Sequence, residues 1–267
     1  MTKTAKLNLT FLILTIFSIG GSYAYALLTN GMELPIYVDL LVAQLLIFLP
    51  AWVYTKKEHI NLYKEIRHRR LRFGALLCLV GITLLSMPLL SFLNLFSSLF
   101  VPNAAAGLAE QMTGGPGWMN ILFLAVIPAF SEEFVFRGVF FHGYRSHGFW
   151  KAAFMSGLIF GLMHLNFNQF SYGFALGVIF AAVVEASGSI YASMAIHFLI
   201  NFQSAQAINA LTSLTASGVE EEGMLEISGA FQQTYLVTTV IVVRKSWLEM
   251  LLGMVSASGK KKRNRPI

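Results

Sequence analysis

The sequence predicts an all-α, polytopic transmembrane helical bundle of about eight spans, and three observations carry that prediction. The composition is 56% hydrophobic and only 12% charged, with a mean hydropathy of +0.64. A soluble domain carries about 45–50% apolar and about 25% charged residues, so lipid is the expected solvent. Apolar runs of spanning length recur along the chain, at about 20 residues each. Finally, the net charge of +6 is gathered into tails and loops rather than spread over a surface. That pattern sets a membrane topology and argues against a nucleic-acid groove.

The candidate spans are 8–28, 34–54, 73–93, 119–141, 151–167, 171–187, 189–210 and 229–244. The first follows Lys3 and Lys6 but is longer than a signal-peptide core, so it reads as a retained helix. The fifth and sixth are short and are expected to form a tight hairpin whose turn, at Asn166, Asn168 and Gln169, reaches into the bilayer. Gly157 and Gly161, and Gly173 and Gly177, permit close helix packing within the chain.

Charge then fixes the orientation. Lys3 and Lys6 precede the first span, and Lys56, Lys57, Lys64, Arg67, Arg69, Arg70 and Arg72 fill the second loop. Arg145 and Lys151 flank the fourth-to-fifth loop, and Lys260, Lys261, Lys262, Arg263 and Arg265 end the chain. With eight spans all of these clusters fall on one side, which the positive-inside rule makes cytoplasmic, both termini included. Loop 94–118 carries one charge, Glu110, and 211–228 carries Glu220, Glu221, Glu222 and Glu226. Three regions follow. Residues 1–118 hold the N-terminal helices, the basic loop and an extracytoplasmic loop. Residues 119–210 form a core, and 211–267 an acidic loop, a last helix and a basic tail. Loop 94–118 is too long for a tight turn, and both a lid and disorder fit it. Cys78 is expected as a small buried hydrophobe.

Charges inside spans are costly and usually functional. Glu132, Glu133 and Arg137 lie in the fourth candidate span, His164 in the fifth, and His197 with Asn201 in the seventh. Residues four apart share a helix face, so Glu133 and Arg137, Phe160 and His164, and His197 and Asn201 form three polar stripes. Counted from the cytoplasmic ends, Glu132 is roughly 13 Å deep, His197 roughly 12 Å, Asn201 roughly 18 Å and His164 roughly 20 Å. The stripes are therefore expected to meet around one cavity. A carboxylate and an imidazole can activate water, and an imidazole and a carboxamide can donate to an oxyanion. Hydrolysis of an amide bond suits the set, while a structural ion pair is the plainer alternative. Glu185 sits near a cytoplasmic helix end and receives no role.

Elimination narrows the chemistry. No HExxH is present, Asp39 is the sole aspartate, and Glu185-Ala-Ser-Gly188 lacks the leading glycine of GxSG. Activation of water by Glu and His remains, with zinc open because two histidines and a glutamate suit it by ligand type.

The segment Glu132-Glu-Phe-Val-Phe-Arg137 resembles the EExxxR motif of the CPBP family of CAAX proteases and bacteriocin-processing (Abi) enzymes. Phe160 to His164 resembles its FxxxH motif and His197 to Asn201 its HxxxN motif, over about residues 120–205. The resemblance implies a glutamate-dependent intramembrane endopeptidase with a conical intramembrane cavity. Glu132 and His164 would activate water, and His197 and Asn201 would stabilise the oxyanion. Glu133, Arg137 and Phe160 would order the site. No cofactor is expected, with metal-free chemistry favoured over zinc. The implied partners are membrane lipids and peptide or protein substrates, lipidated ones among them, in a bacterial cell membrane. A non-catalytic bacteriocin self-immunity or membrane-binding protein is the alternative, and a proton-coupled transporter a more distant one.

Overall fold

The computed structural model describes residues 1–217 except 31, 33, 61–69 and 103. The expected eighth span, the acidic cluster at 220–226, the basic tail and most of the basic loop lie outside the described residues. Eight helical elements follow one another within them: α1 (Lys3–Leu28), α2 (Ile36–Lys57), α3 (Phe73–Ser98), α4 (Ala104–Met112), α5 (Gly117–His147), α6 (Phe149–Leu162), α7 (Phe167–Ser187) and α8 (Ile190–Ala216). α5 is continuous but not uniform, since 122–126 and 134–141 are wound as π-helix.

Five of these helices, α1, α2, α3, α5 and α7, are long and apolar enough to cross a membrane. The other two expected spans in the described region differ. α6 has 14 residues, about 21 Å at 1.5 Å per residue, less than the hydrocarbon core of about 30 Å. α8 is longer but carries Ser193, His197, Asn201, Gln203, Gln206 and Asn209, which lower its hydropathy. Loop 94–118 is partly α4, whose Met112 packs in a small apolar cluster with Tyr37 and Ile208.

The outer helices show why lipid is required. α1 turns Leu12, Ile13, Ile16 and Leu27 outward, and α3 does the same with Leu77, Leu84, Leu85 and Phe92. Cys78 is exposed on α3, not buried as the sequence suggested. An apolar thiol has no reason to avoid a surface that faces hydrocarbon. Trp150 at the start of α6 is 76% exposed and Trp118 at the start of α5 is 65% exposed, suiting aromatic anchors at the two interfaces.

Among the described residues, basic side chains at the helix ends gather at one end of the bundle. Lys6 Nζ pairs with Glu58 at 2.6 Å, Thr4 Oγ1 meets His147 Nε2 at 2.7 Å, and Tyr144 donates to Asn8 Oδ1 at 2.7 Å. These bonds bring the start of α1 to the ends of α2 and α5. Arg145 closes the same end with a bidentate pair to Glu185, a carboxylate that received no role from its position in the chain. At the other end, buried carboxamides tie the bundle together. Tyr37 donates to Asn120 Oδ1 at 2.9 Å, and Asn120 Nδ2 donates to Asn209 Oδ1 at 2.8 Å, joining α2, α5 and α8. Asn168 Nδ2 reaches Ser97 and Ser98 Oγ, both at 2.9 Å, which fixes the start of α7 on the end of α3.

The α6–α7 hairpin is the tightest pairing. Leu165 adopts φ +52°, and Asn166 then caps α7 by accepting from Gln169 N at 3.0 Å. The glycines face one another. A Cβ on Gly177 would stand 2.4 Å from Gly157 Cα, and one on Gly161 would stand 3.0 Å from Phe170 O. Backbone, unlike a side-chain tip, cannot move aside. Gly177→Val should therefore lower the thermal unfolding midpoint in detergent by the equivalent of about 1–3 kcal/mol or more. Gly81→Ala, where nothing lies within 4 Å, should be neutral or slightly stabilising.

Candidate active site

Glu132 and Glu133 end the α-helical turn 127–133 of α5, between its two π segments. A π turn holds an extra residue and often marks a functional site. Adjacent residues on a helix point in different directions, and here both directions face the bundle interior. Glu133 is fully buried and Glu132 is 9% exposed.

Glu133 sits at the centre of a charge group. Its Oε1 lies 2.9 Å from Arg137 Nη1 and 3.0 Å from His197 Nδ1, and both side chains of the Glu133–Arg137 pair are without solvent exposure. Arg137 is held as much by its faces as by its charge. The guanidinium carbon stands 4.5 Å from the Phe160 ring centre and 4.9 Å from that of Phe180, within cation–π range. Its nitrogens form no hydrogen bond of good geometry, so the Glu133 contact acts as a close ion pair.

His197 joins the two carboxylates. Nδ1 contacts Glu133, and Nε2 lies 3.8 Å from Glu132 Oε2. The ring stacks on Phe180 at 5.1 Å and meets the edge of Phe160 at 5.9 Å. One turn along α8, Asn201 Nδ2 donates to Leu124 O at 2.9 Å. Pro128 has no N–H to give that carbonyl, the bond an α-helix would supply, so the side chain takes its place.

His164 lies just past the end of α6, not within a helix that runs to 167 as expected. Its Nδ1 stands 2.9 Å from Phe160 O, and its ring meets Phe160 edge-on at 5.0 Å. A carbonyl only accepts, so Nδ1 carries the proton, and in the neutral ring the lone pair lies on Nε2. Phe160 thus touches both histidines and Arg137, and the three sequence stripes come together around this one ring.

Two residues that sequence reasoning missed complete the surroundings of Glu132. Gln44 Nε2 on α2 donates to Glu132 Oε1 at 2.8 Å, and the Ser131 hydroxyl lies in hydrogen-bond contact with Gln44 Oε1 and with Ile127 O. The signal for Gln44 was a single carboxamide within an apolar run. Among the described residues, no three His, Cys, Asp or Glu side chains converge closely enough to hold a metal ion.

The buried pair makes a stability prediction. Arg137→Met alone should cost about 3–5 kcal/mol, because it leaves Glu133 buried without its cation. Adding Glu133→Gln should recover much of that loss. A double-mutant cycle on unfolding in detergent checks it, and strict additivity would contradict the pairing.

Residues 114–203 match the family model described as Rce1-like, type II CAAX prenyl endopeptidase Rce1-like. No curated protein and no solved structure matches the chain. The matched stretch contains Glu132, Glu133, Arg137, Phe160, His164, His197 and Asn201, and it leaves α1 to α3 outside. Over residues 114–203 the chain is similar to the CAAX-protease family, in line with the resemblance that the motifs carry.

Proposed function

We propose that the chain is a multi-pass intramembrane endopeptidase of the CAAX type, acting by a glutamate and two histidines without a metal. The observation that carries this reading is the meeting of Arg137, His164 and His197 around Phe160, with Glu133 and Glu132 both facing His197, within the segment that matches the family. Glu132, with only part of its surface exposed and one oxygen directed away from Gln44, is the general base. It takes a proton from a water that the lone pair of His164 Nε2 also holds. The hydroxide attacks the scissile carbonyl, the amide carbon becomes tetrahedral, and the proton passes to the departing amine.

The oxyanion donors follow from the same hydrogen bonds. Asn201 spends one N–H on Leu124 O and keeps the other. His197 gives Nδ1–H to Glu133, so Nε2 donates only when both nitrogens are protonated. Preorganised donors of this kind are worth about 10²–10³ in rate each. Glu133 and Arg137 do not reach the reacting atoms; they hold His197.

The cluster of basic residues at one end supports a cytoplasmic placement for that end and for the N-terminus. The substrates proposed are peptides or proteins with lipidated C-termini, following the name of the matched family. A bacteriocin-processing or immunity role is not favoured by any contact in the site.

Two experiments test this reading. The protein is reconstituted in liposomes with quenched peptides, with and without a farnesylated cysteine near the C-terminus. Glu132→Ala and His164→Ala should each lower kcat at least about 100-fold. Cleavage untouched by both changes would remove the proposed site, and proton-coupled solute flux without cleavage would favour a transporter. Exhaustive chelation should leave the rate unchanged. A loss restored by added zinc would overturn the metal-free mechanism.

A further inference from the structure

The carboxylate proposed as base is not held by the matched segment alone. Gln44 reaches it from α2, about 70 residues before the match begins. We infer that Gln44 is a positioning residue for Glu132, and this inference rests on the proteolytic reading above. The geometry fixes both ends of the amide. An ionised Glu132 can only accept, so the amide nitrogen faces it and Gln44 Oε1 is turned to Ser131, whose single hydroxyl proton lies between that oxygen and Ile127 O. Gln44 Nε2–H then occupies Oε1 of Glu132 and leaves Oε2 as the oxygen that faces His197 Nε2. One oxygen is a fixed acceptor and the other is free to take a proton.

The chain of contacts is directional. Ser131 stands immediately before Glu132 on α5, so the residue that orients Gln44 and the residue that Gln44 orients share one helical turn. A rotation of Glu132 about its side-chain bonds would break the Gln44 bond, and a flip of the Gln44 amide would set its oxygen against the carboxylate. Both motions are opposed by the same amide. The effect of Gln44 on the reaction passes through Glu132.

The test uses full-length protein in liposomes and the peptide of the library that wild type cleaves best. Gln44→Met has nearly the same shape and lacks the N–H. It should lower kcat roughly ten- to a hundredfold, the value of one hydrogen bond to a charged group. KM and the unfolding midpoint in detergent should stay unchanged. Ser131→Ala should lower kcat in the same direction by less. On a Glu132→Asp background, whose shortened carboxylate no longer reaches Gln44, the Gln44→Met change should have little further effect. An unchanged kcat, a loss that follows KM or unfolding, or an equal fold-loss on both backgrounds would overturn the inference. Wild type and Glu132→Ala separate it from the wider reading. Failure of Glu132→Ala to reduce cleavage sinks the base itself, whereas failure of Gln44→Met alone leaves the base standing and removes only its support.

Discussion

The contact on which the rest of the structure depends is the one between Glu133, Arg137 and His197. Two charges cannot be left apart in a lipid-surrounded interior, because the cost of desolvation exceeds what any single contact returns. The chain answers by using the pair as a meeting point. Arg137 on α5 lies between Phe160 of α6 and Phe180 of α7, and His197 of α8 closes on Glu133 from the remaining side. Four helices are thereby referred to one guanidinium. Hydrophobic burial gives little direction in lipid, where tails are as apolar as leucine. A buried ion pair between aromatic faces gives a direction, a distance and a register together.

That role explains the division of labour around it. Glu133 and Arg137 are committed to each other and have no freedom to exchange protons with a substrate. Glu132, one position away, points to a different wall of the bundle and keeps a small exposed surface. The structural carboxylate and the one proposed as base are neighbours in sequence because one helix turn can present them to two different partners. His197 stands between them, with one ring nitrogen on each.

Much of this was legible in the sequence. The apolar runs located α1, α2, α3, α5 and α7. The spacing of four residues identified Glu133 with Arg137 and Phe160 with His164, and the two glycine pairs do face each other as helix-packing sites. Other features had no linear signal. The π segments of α5 cannot be read from hydrophobic periodicity, since π and α turns bury the same residue types. Gln44 lies some 90 positions from its partner and shows only as a polar atom in an apolar helix. Cys78 was misplaced because soluble-protein burial rules do not apply when the solvent is hydrocarbon. The short span of α6 was hidden too, because Leu162 to Leu165 continues the apolar pattern past the point where the backbone turns.

The π segments of α5 carry one more consequence. Each holds a residue more per turn than the α-helix around it, so the direction of every side chain beyond 141 depends on how many residues lie between it and Glu133. Loss of a single residue from 134–141 can therefore be taken up by converting one π turn to α-winding, which keeps the side chains beyond 141 in their directions, with the bonds of Tyr144 to Asn8 and of Arg145 to Glu185. A residue added to an α-wound part of the helix has no such outlet and turns everything beyond it by about 100°. Over evolutionary time α5 is thus expected to shed a residue within 134–141 more readily than elsewhere along its length.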